Sequence, residues 1–95
     1  MKPARSASYL AWLRTLACRF CNAARAEPAH TGLRGLGQKA SDFEAVPMCR
    51  ICHERYHVHA LSFWSHFGLD RLQVIRKLNE RYTRATGRQC PELSS

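Results

Sequence analysis

Two pairs of cysteines constrain this chain more than anything else in it. Cys18 and Cys21 stand in C-R-F-C, Cys49 and Cys52 stand in C-R-I-C, and Cys90 is alone near the end. A C-x-x-C turn offers two thiolates to one metal ion, and two such turns brought together complete the sulfur tetrahedron of a closed structural zinc site. Paired knuckles fit a reducing compartment, so a cytoplasmic location is expected and a disulfide framework is not. At 95 residues the chain is long enough for a single core and short enough to need a staple. Zinc would supply it, because the free energy of binding at such a site is also free energy of folding. Cys90 reads as a free thiol of the tail.

Charge narrows the partner. Fifteen Lys and Arg against seven Asp and Glu give a formal +8, which on so small a domain points to an anionic partner, nucleic acid being the simplest. Four thiolates and one divalent ion sum to −2, so the zinc-bound domain drops from +8 to +6 and stays basic. Hydrophobic residues at 45% and charged residues at 23% exclude the disordered and fibrous classes. No apolar run approaches the roughly 18 residues of a membrane span, and no membrane partner is expected.

Residues 1–26 contain no acid and carry Lys2, Arg5, Arg14, Arg19 and Arg25 among Ser and Ala, a composition shared with organellar transit peptides. Removing this segment would discard half a knuckle, so it is expected to belong to the mature fold. Ser6 or Ser8 caps a helix with Tyr9, Leu10 and Leu13 at helical spacing. A short strand fits 27–30, with Pro28 tolerable on an edge. Gly32, Gly35 and Gly37 mark the following loop as a turn, and their spacing is not that of a nucleotide-binding P-loop. A return strand fits 43–48.

Helix signals follow the second knuckle. Phe63, Trp64 and Phe67 sit at helical spacing up to Gly68 and read as core rather than as base-stacking residues. Asp70 starts a last helix with Leu72, Ile75, Leu78 and Tyr82 as its apolar stripe, ending at Gly87. Its Arg71, Arg76, Lys77, Arg81 and Arg84 face water or phosphate. The expected organisation is one domain over 1–95: an N-terminal helix in 1–17, knuckles and hairpin-helix core in 18–58, helices in 59–87 and a flexible tail in 88–95.

The histidines suggest a second site. His53 and His57 lie four apart, one helical turn, and so project from one face. A catalytic metal keeps an open position and favours His and carboxylate ligands, which suits this pair. His30, on the first strand, is a candidate general base that takes a proton from a water attacking a phosphodiester. His59 reads as an extra contact at the helix end and His66 as a surface or packing residue. Arg34, Lys39, Arg50 and Arg55 flank this site as candidate phosphate contacts.

The order Cys18, Cys21, Ala29-His30, Val46-Pro47-Met48-Cys49, Cys52-His53 and His57 resembles the HNH endonuclease superfamily. More closely, A-H-T-G-L-R-G-L-G-Q-K-A-S-D followed by V-P-M-C-R-I-C-H-E-R-Y-H is similar to small HNH-type nucleases of bacteriophages and prophages. The resemblance implies an α+β fold: a zinc-braced β-hairpin plus helix of the ββα-metal type, with flanking helices. It implies a metal-dependent endonuclease that hydrolyses DNA phosphodiester bonds in phage or prophage recombination or processing. His30 would be the base, His53 and His57 metal ligands, and Cys18, Cys21, Cys49 and Cys52 the structural zinc site. One catalytic divalent cation (Mg, Mn, Ni or Zn), DNA, and a recombination or replication protein are the implied cofactor and partners.

Two positions depart from the family pattern. Ala29 stands where a ligand usually precedes the base, and Glu44 falls near the middle asparagine. Either Asp42 supplies a compensating carboxylate to the metal, or His30 is itself a ligand and another group is the base. The competing expectation is a catalytically inactive zinc-knuckle module that binds DNA or protein.

Overall fold

The computed structural model describes residues 4–31 and 40–91. Serine begins the order: Ser6, in an extended conformation, accepts a hydrogen bond from the Tyr9 N–H and so caps α1 (Ala7–Leu13). Tyr9 and Leu13 are fully buried, so the arginine-rich first segment is built into the core. The chain then turns through the first knuckle, where Asn22 takes φ 63 and its N–H bonds back to the Cys18 carbonyl at 2.9 Å. Asparagine is among the few non-glycine residues that tolerate that left-handed geometry.

β1 (Glu27–His30) and β2 (Ala45–Met48) form a two-stranded antiparallel sheet with Ala29 opposite Val46 and His30 opposite Ala45. Pro28 faces Pro47 across it. Opposed residues alternate between pairs that exchange N–H bonds and pairs that do not, so two prolines fit where neither strand calls on the other's missing donor. The outward Pro47 carbonyl instead accepts from the Arg19 N–H at 2.9 Å, tying the first knuckle to β2. The return strand is shorter than its sequence suggested, because residues Asp42–Glu44 form a 3-10 turn capped by Ser41.

β2 runs straight into the second knuckle, where the Cys49 sulfur accepts from the Cys52 N–H as the N-cap of α2 (Arg50–Val58). α3 (Ala60–His66) follows after His59, and Gly68 takes φ 64 just past its end. Asp70 caps α4 (Arg71–Thr86) through the Gln73 N–H, and Gly87 ends it at φ 73. Among the described residues this makes an α+β fold of one hairpin and four helices.

The core has two lobes. Tyr9 lies 4.9 Å from Phe43 and 4.8 Å from Tyr82 between ring centroids, over Val46, Met48, Ile75 and Leu78. Asn79, buried in α4, donates to Tyr9 Oη at 2.8 Å and to the Phe43 carbonyl at 3.1 Å, satisfying its amide. The second lobe gathers Phe20 of the first knuckle against Phe63, Trp64 and Phe67 at 4.8, 5.4 and 5.1 Å. Phe63 is therefore core, with Trp64 and the α3 C-cap Phe67 packed half-buried against it. Cys90 lies half-buried, with its sulfur 3.7 Å from the Asn79 carbonyl. No helix among the described residues is long and apolar enough to cross a membrane.

Candidate functional site

The four knuckle sulfurs converge. Cys18, Cys21, Cys49 and Cys52 place their Sγ atoms all within 4.8 Å of one another, and Cys21 and Cys49 are 3.4 Å apart. A tetrahedron with metal–sulfur bonds of about 2.3 Å has edges of about 3.8 Å, so this donor set fits zinc with small adjustment. Burial, the largest influence on Cys18, opposes its ionisation, but N–H groups of Cys49, Cys21 and Phe20 bring it down to about 7. Burial pushes the Cys52 thiol up, reinforced by the neighbouring sulfurs. Four thiolates crowded together cannot all ionise unaided, and a divalent cation resolves that conflict. The cysteines could therefore hold a structural metal such as zinc.

The histidine face lies beside this brace. Because the strands alternate, Ala29 is fully buried against the core while the His30 side chain stays 31% exposed. His30 Nε2 sits 2.8 Å from Asp42 Oδ1. The same carboxylate receives Arg5 Nη1 on Oδ1 at 2.9 Å and the Ser6 N–H on Oδ2 at 2.8 Å. Burial works first and upward on Asp42, yet the bonds from His30, Ser6 and Arg5 outweigh it and hold the carboxyl below its ordinary value. Asp42 is thus an ionised acceptor, which makes His30 Nε2–H the donor and leaves Nδ1 as the acceptor in the neutral ring.

α2 runs back along β1. His53 Nδ1 lies 2.6 Å from Glu27 Oε1 at one end, and Tyr56 Oη reaches the Thr31 carbonyl at 3.4 Å near the other. His53 and His57 stack with ring centroids 4.6 Å apart and planes 27° from parallel. Helical spacing thus does put them on one face. Among the described residues, only the four cysteines form a group of three or more His, Cys, Asp and Glu close enough to share an ion. Asp42 is occupied by Arg5, Ser6 and His30 and does not complete such a group with His53 and His57.

Arg71, expected to face water or phosphate, is drawn instead to Glu44. The Glu44 carboxylate accepts from Arg71 at 2.8 Å and its carbonyl accepts from Thr31 Oγ1 at 2.7 Å, so this position braces α4 against the hairpin. Arg71 is correspondingly turned toward the hairpin, with its side chain still 22% exposed. Arg50 is exposed and 3.5 Å from Glu54, Arg55 is exposed, and Arg34 and Lys39 lie outside the described residues. His59 is the exposed joint between α2 and α3, and His66 packs edge-on to Phe67 at 5.0 Å. Sequence reading missed Arg5, Ser6 and Glu27. Only Glu27 left a signal, as the first acid after 26 residues without one.

Comparison with known proteins adds kinship without activity. The chain is similar to the "Uncharacterized protein YdfU" of Escherichia coli (strain K12), at 30% identity over 76 residues. The matched part is 77% of this chain and 22% of that relative, so the chain spans under a quarter of its length. No solved structure matches. The family described as "Protein of unknown function (DUF968)" matches residues 1–85, a span that holds the knuckles, the hairpin and all but the last residue of α4, and the chain belongs to it.

Proposed function

We propose that this protein is a metal-dependent endonuclease of the HNH type, acting on DNA phosphodiester bonds. The observation that carries the reading is the His30–Asp42 pair, in which a part-exposed imidazole is anchored through one nitrogen by a buried, charge-compensated carboxylate 2.8 Å away. That arrangement suits a general base: one nitrogen is fixed, the other is left as an acceptor, and a countercharge stands ready for the imidazolium that forms.

In the proposed step, His30 Nδ1 takes a proton from water as the water oxygen bonds to phosphorus. One phosphorus–oxygen ester bond breaks, and its oxygen leaves with a proton from solvent. Asp42 steadies the positive charge gained by His30, and Arg5 together with the Ser6 N–H keeps Asp42 ionised and in place. His53 and His57 would hold a divalent cation, whose chemistry is to neutralise charge on the phosphate. Glu27 supports that role, because metal-binding histidines commonly give their other nitrogen to a carboxylate. The knuckle cysteines keep α2 in register with the hairpin. The preference for DNA, and a role in phage or prophage recombination or processing, rest on the resemblance and the +8 charge.

A second reading is favoured by one specific observation: Ala29 is wholly buried and offers no ligating atom next to His30. On that reading the domain is a silent zinc-knuckle module that binds DNA or protein. A nicking assay on supercoiled plasmid and single-stranded circles separates the two. Magnesium, manganese, nickel and zinc are added in turn, with parent, His30→Ala and chelator arms. Metal-dependent nicking that disappears in His30→Ala is the expected result. Binding without nicking under every metal overturns the enzyme and leaves the silent module.

A further inference from the structure

The charge that makes this chain basic is unevenly used. On the histidine side Arg5 is paired with Asp42, Arg71 with Glu44 and Arg50 with Glu54. Among the described residues, Arg14, Arg19, Arg25, Arg55, Arg76, Lys77, Arg81, Arg84 and Arg88 form no ion pair, and five of these nine lie between Arg76 and Arg88. Lys77, Arg81 and Arg84 stand at i, i+4 and i+7 and so share one face of α4. Glu80, the one acid of that helix, lies at the edge of this face, about 60° from Lys77 and about 40° from Arg84, with which it forms no ion pair.

Neutral partners hold two of these guanidinium groups. Arg81 lies over the Trp12 ring, 5.9 Å from its centroid, and Arg88 donates to Ser8 Oγ at 3.2 Å. Both contacts tether the side chain to α1 without cancelling its charge. Arg19 of the first knuckle and Arg81 line a single groove floored by Cys18, Pro47 and Leu78. The result is a positive track over three elements, with some of the ordering cost of its arginines already met.

We propose that this track, centred on Lys77, Arg81 and Arg84 and continued by Arg19 and Arg88, binds the sugar-phosphate backbone of a nucleic acid. Lys77 to Arg84 spans about 10 Å of helix, the axial reach of about three phosphates of one strand at ~3.4 Å each. The surface differs from the one expected at Arg34, Lys39, Arg50 and Arg55. It takes its ligand class from the proposed function, but its test needs no cleavage.

The test measures binding of the zinc-loaded full chain to a fluorescein-labelled DNA duplex, without other divalent ions and across a salt series. The parent is compared with the doubly substituted Lys77→Gln/Arg84→Gln chain, whose changes are exposed and touch neither core nor zinc site. The variant should bind roughly 10- to 50-fold more weakly near 0.1 M salt and lose about 1.8 from the log–log salt slope, about 0.9 per lost phosphate contact. Zinc content and circular dichroism should match the parent. Unchanged affinity and slope overturn the proposal, as does a larger loss in Arg50→Gln/Arg55→Gln. Anionic vesicles binding the parent where the duplex does not would overturn it too. Parent binding with the predicted slope change, yet no nicking under any metal, would uphold this surface and refute the nuclease alone.

Discussion

His30 and Asp42, 12 residues apart, are joined by a 2.8 Å hydrogen bond, and the carboxylate that orients the imidazole is itself held at the N-terminal end of α1 by Arg5 and Ser6. The N-terminal helix is therefore part of the histidine site. His30→Ala should lower nicking by about 10²- to 10⁴-fold, the usual worth of a general base, with zinc content unchanged. Asp42→Asn, which keeps the shape and removes the countercharge, should cost roughly 10- to 100-fold and change the pH–rate profile. A parent-like rate in His30→Ala would remove His30 from the mechanism.

Acid should loosen the same contact. The folded Asp42 carboxyl is held below the unfolded aspartate value of about 3.9, so its contribution is complete above that pH and is lost as pH falls through the lowered folded value. Urea midpoints of parent and Asp42→Asn should thus differ near neutrality and converge below about pH 4. Curves that stay parallel from neutral pH into acid would show that Asp42 adds no pH-linked stability.

Removing metal should unfold the domain. With four sulfurs within 4.8 Å tying the first knuckle to the start of α2, Cys49→Ser or a strong chelator should abolish zinc binding and cooperative unfolding. Circular dichroism and zinc release read both. A folded, soluble, zinc-free Cys49→Ser chain would contradict the staple.

The Arg71–Glu44 bridge should be structural. Arg71 also donates to Thr31 Oγ1 at 3.0 Å, and the Glu44 side chain is only 10% exposed. Glu44→Ala should cost roughly 2–3 kcal/mol, below the about 3–5 kcal/mol of a fully buried pair, because the arginine still reaches water. Chemical denaturation measures it, and a loss under about 0.5 kcal/mol would class the bridge with ordinary surface pairs.

Glu27 offers a separate check on the histidine pair. If its bond to His53 orients a metal ligand, Glu27→Gln should weaken nickel or manganese binding by about 10- to 100-fold while leaving the knuckle zinc in place. Calorimetric titration of the zinc-loaded chain gives the answer, and unchanged affinity would assign Glu27 to surface structure.

Much of the architecture was legible because it is local. C-x-x-C spacing fixes which sulfurs share a turn, Ser6 and Asp70 announce helix starts, and the apolar period of α4 marks its buried face. Each rests on residues within a few positions of one another. The partners of the polar groups were not legible in this way. Asp42 meets His30 and Arg5 at separations of 12 and 37 residues, Glu27 meets His53 at 26, and Arg71 meets Glu44 at 27. Periodicity tells which side of a helix or strand is apolar, but which charges meet depends on how chain reversals stack those elements. So the sequence by itself determined the cysteine cluster, the hairpin and the basic character. Only tertiary packing set Asp42 against His30 and Arg5, and Glu44 against Arg71.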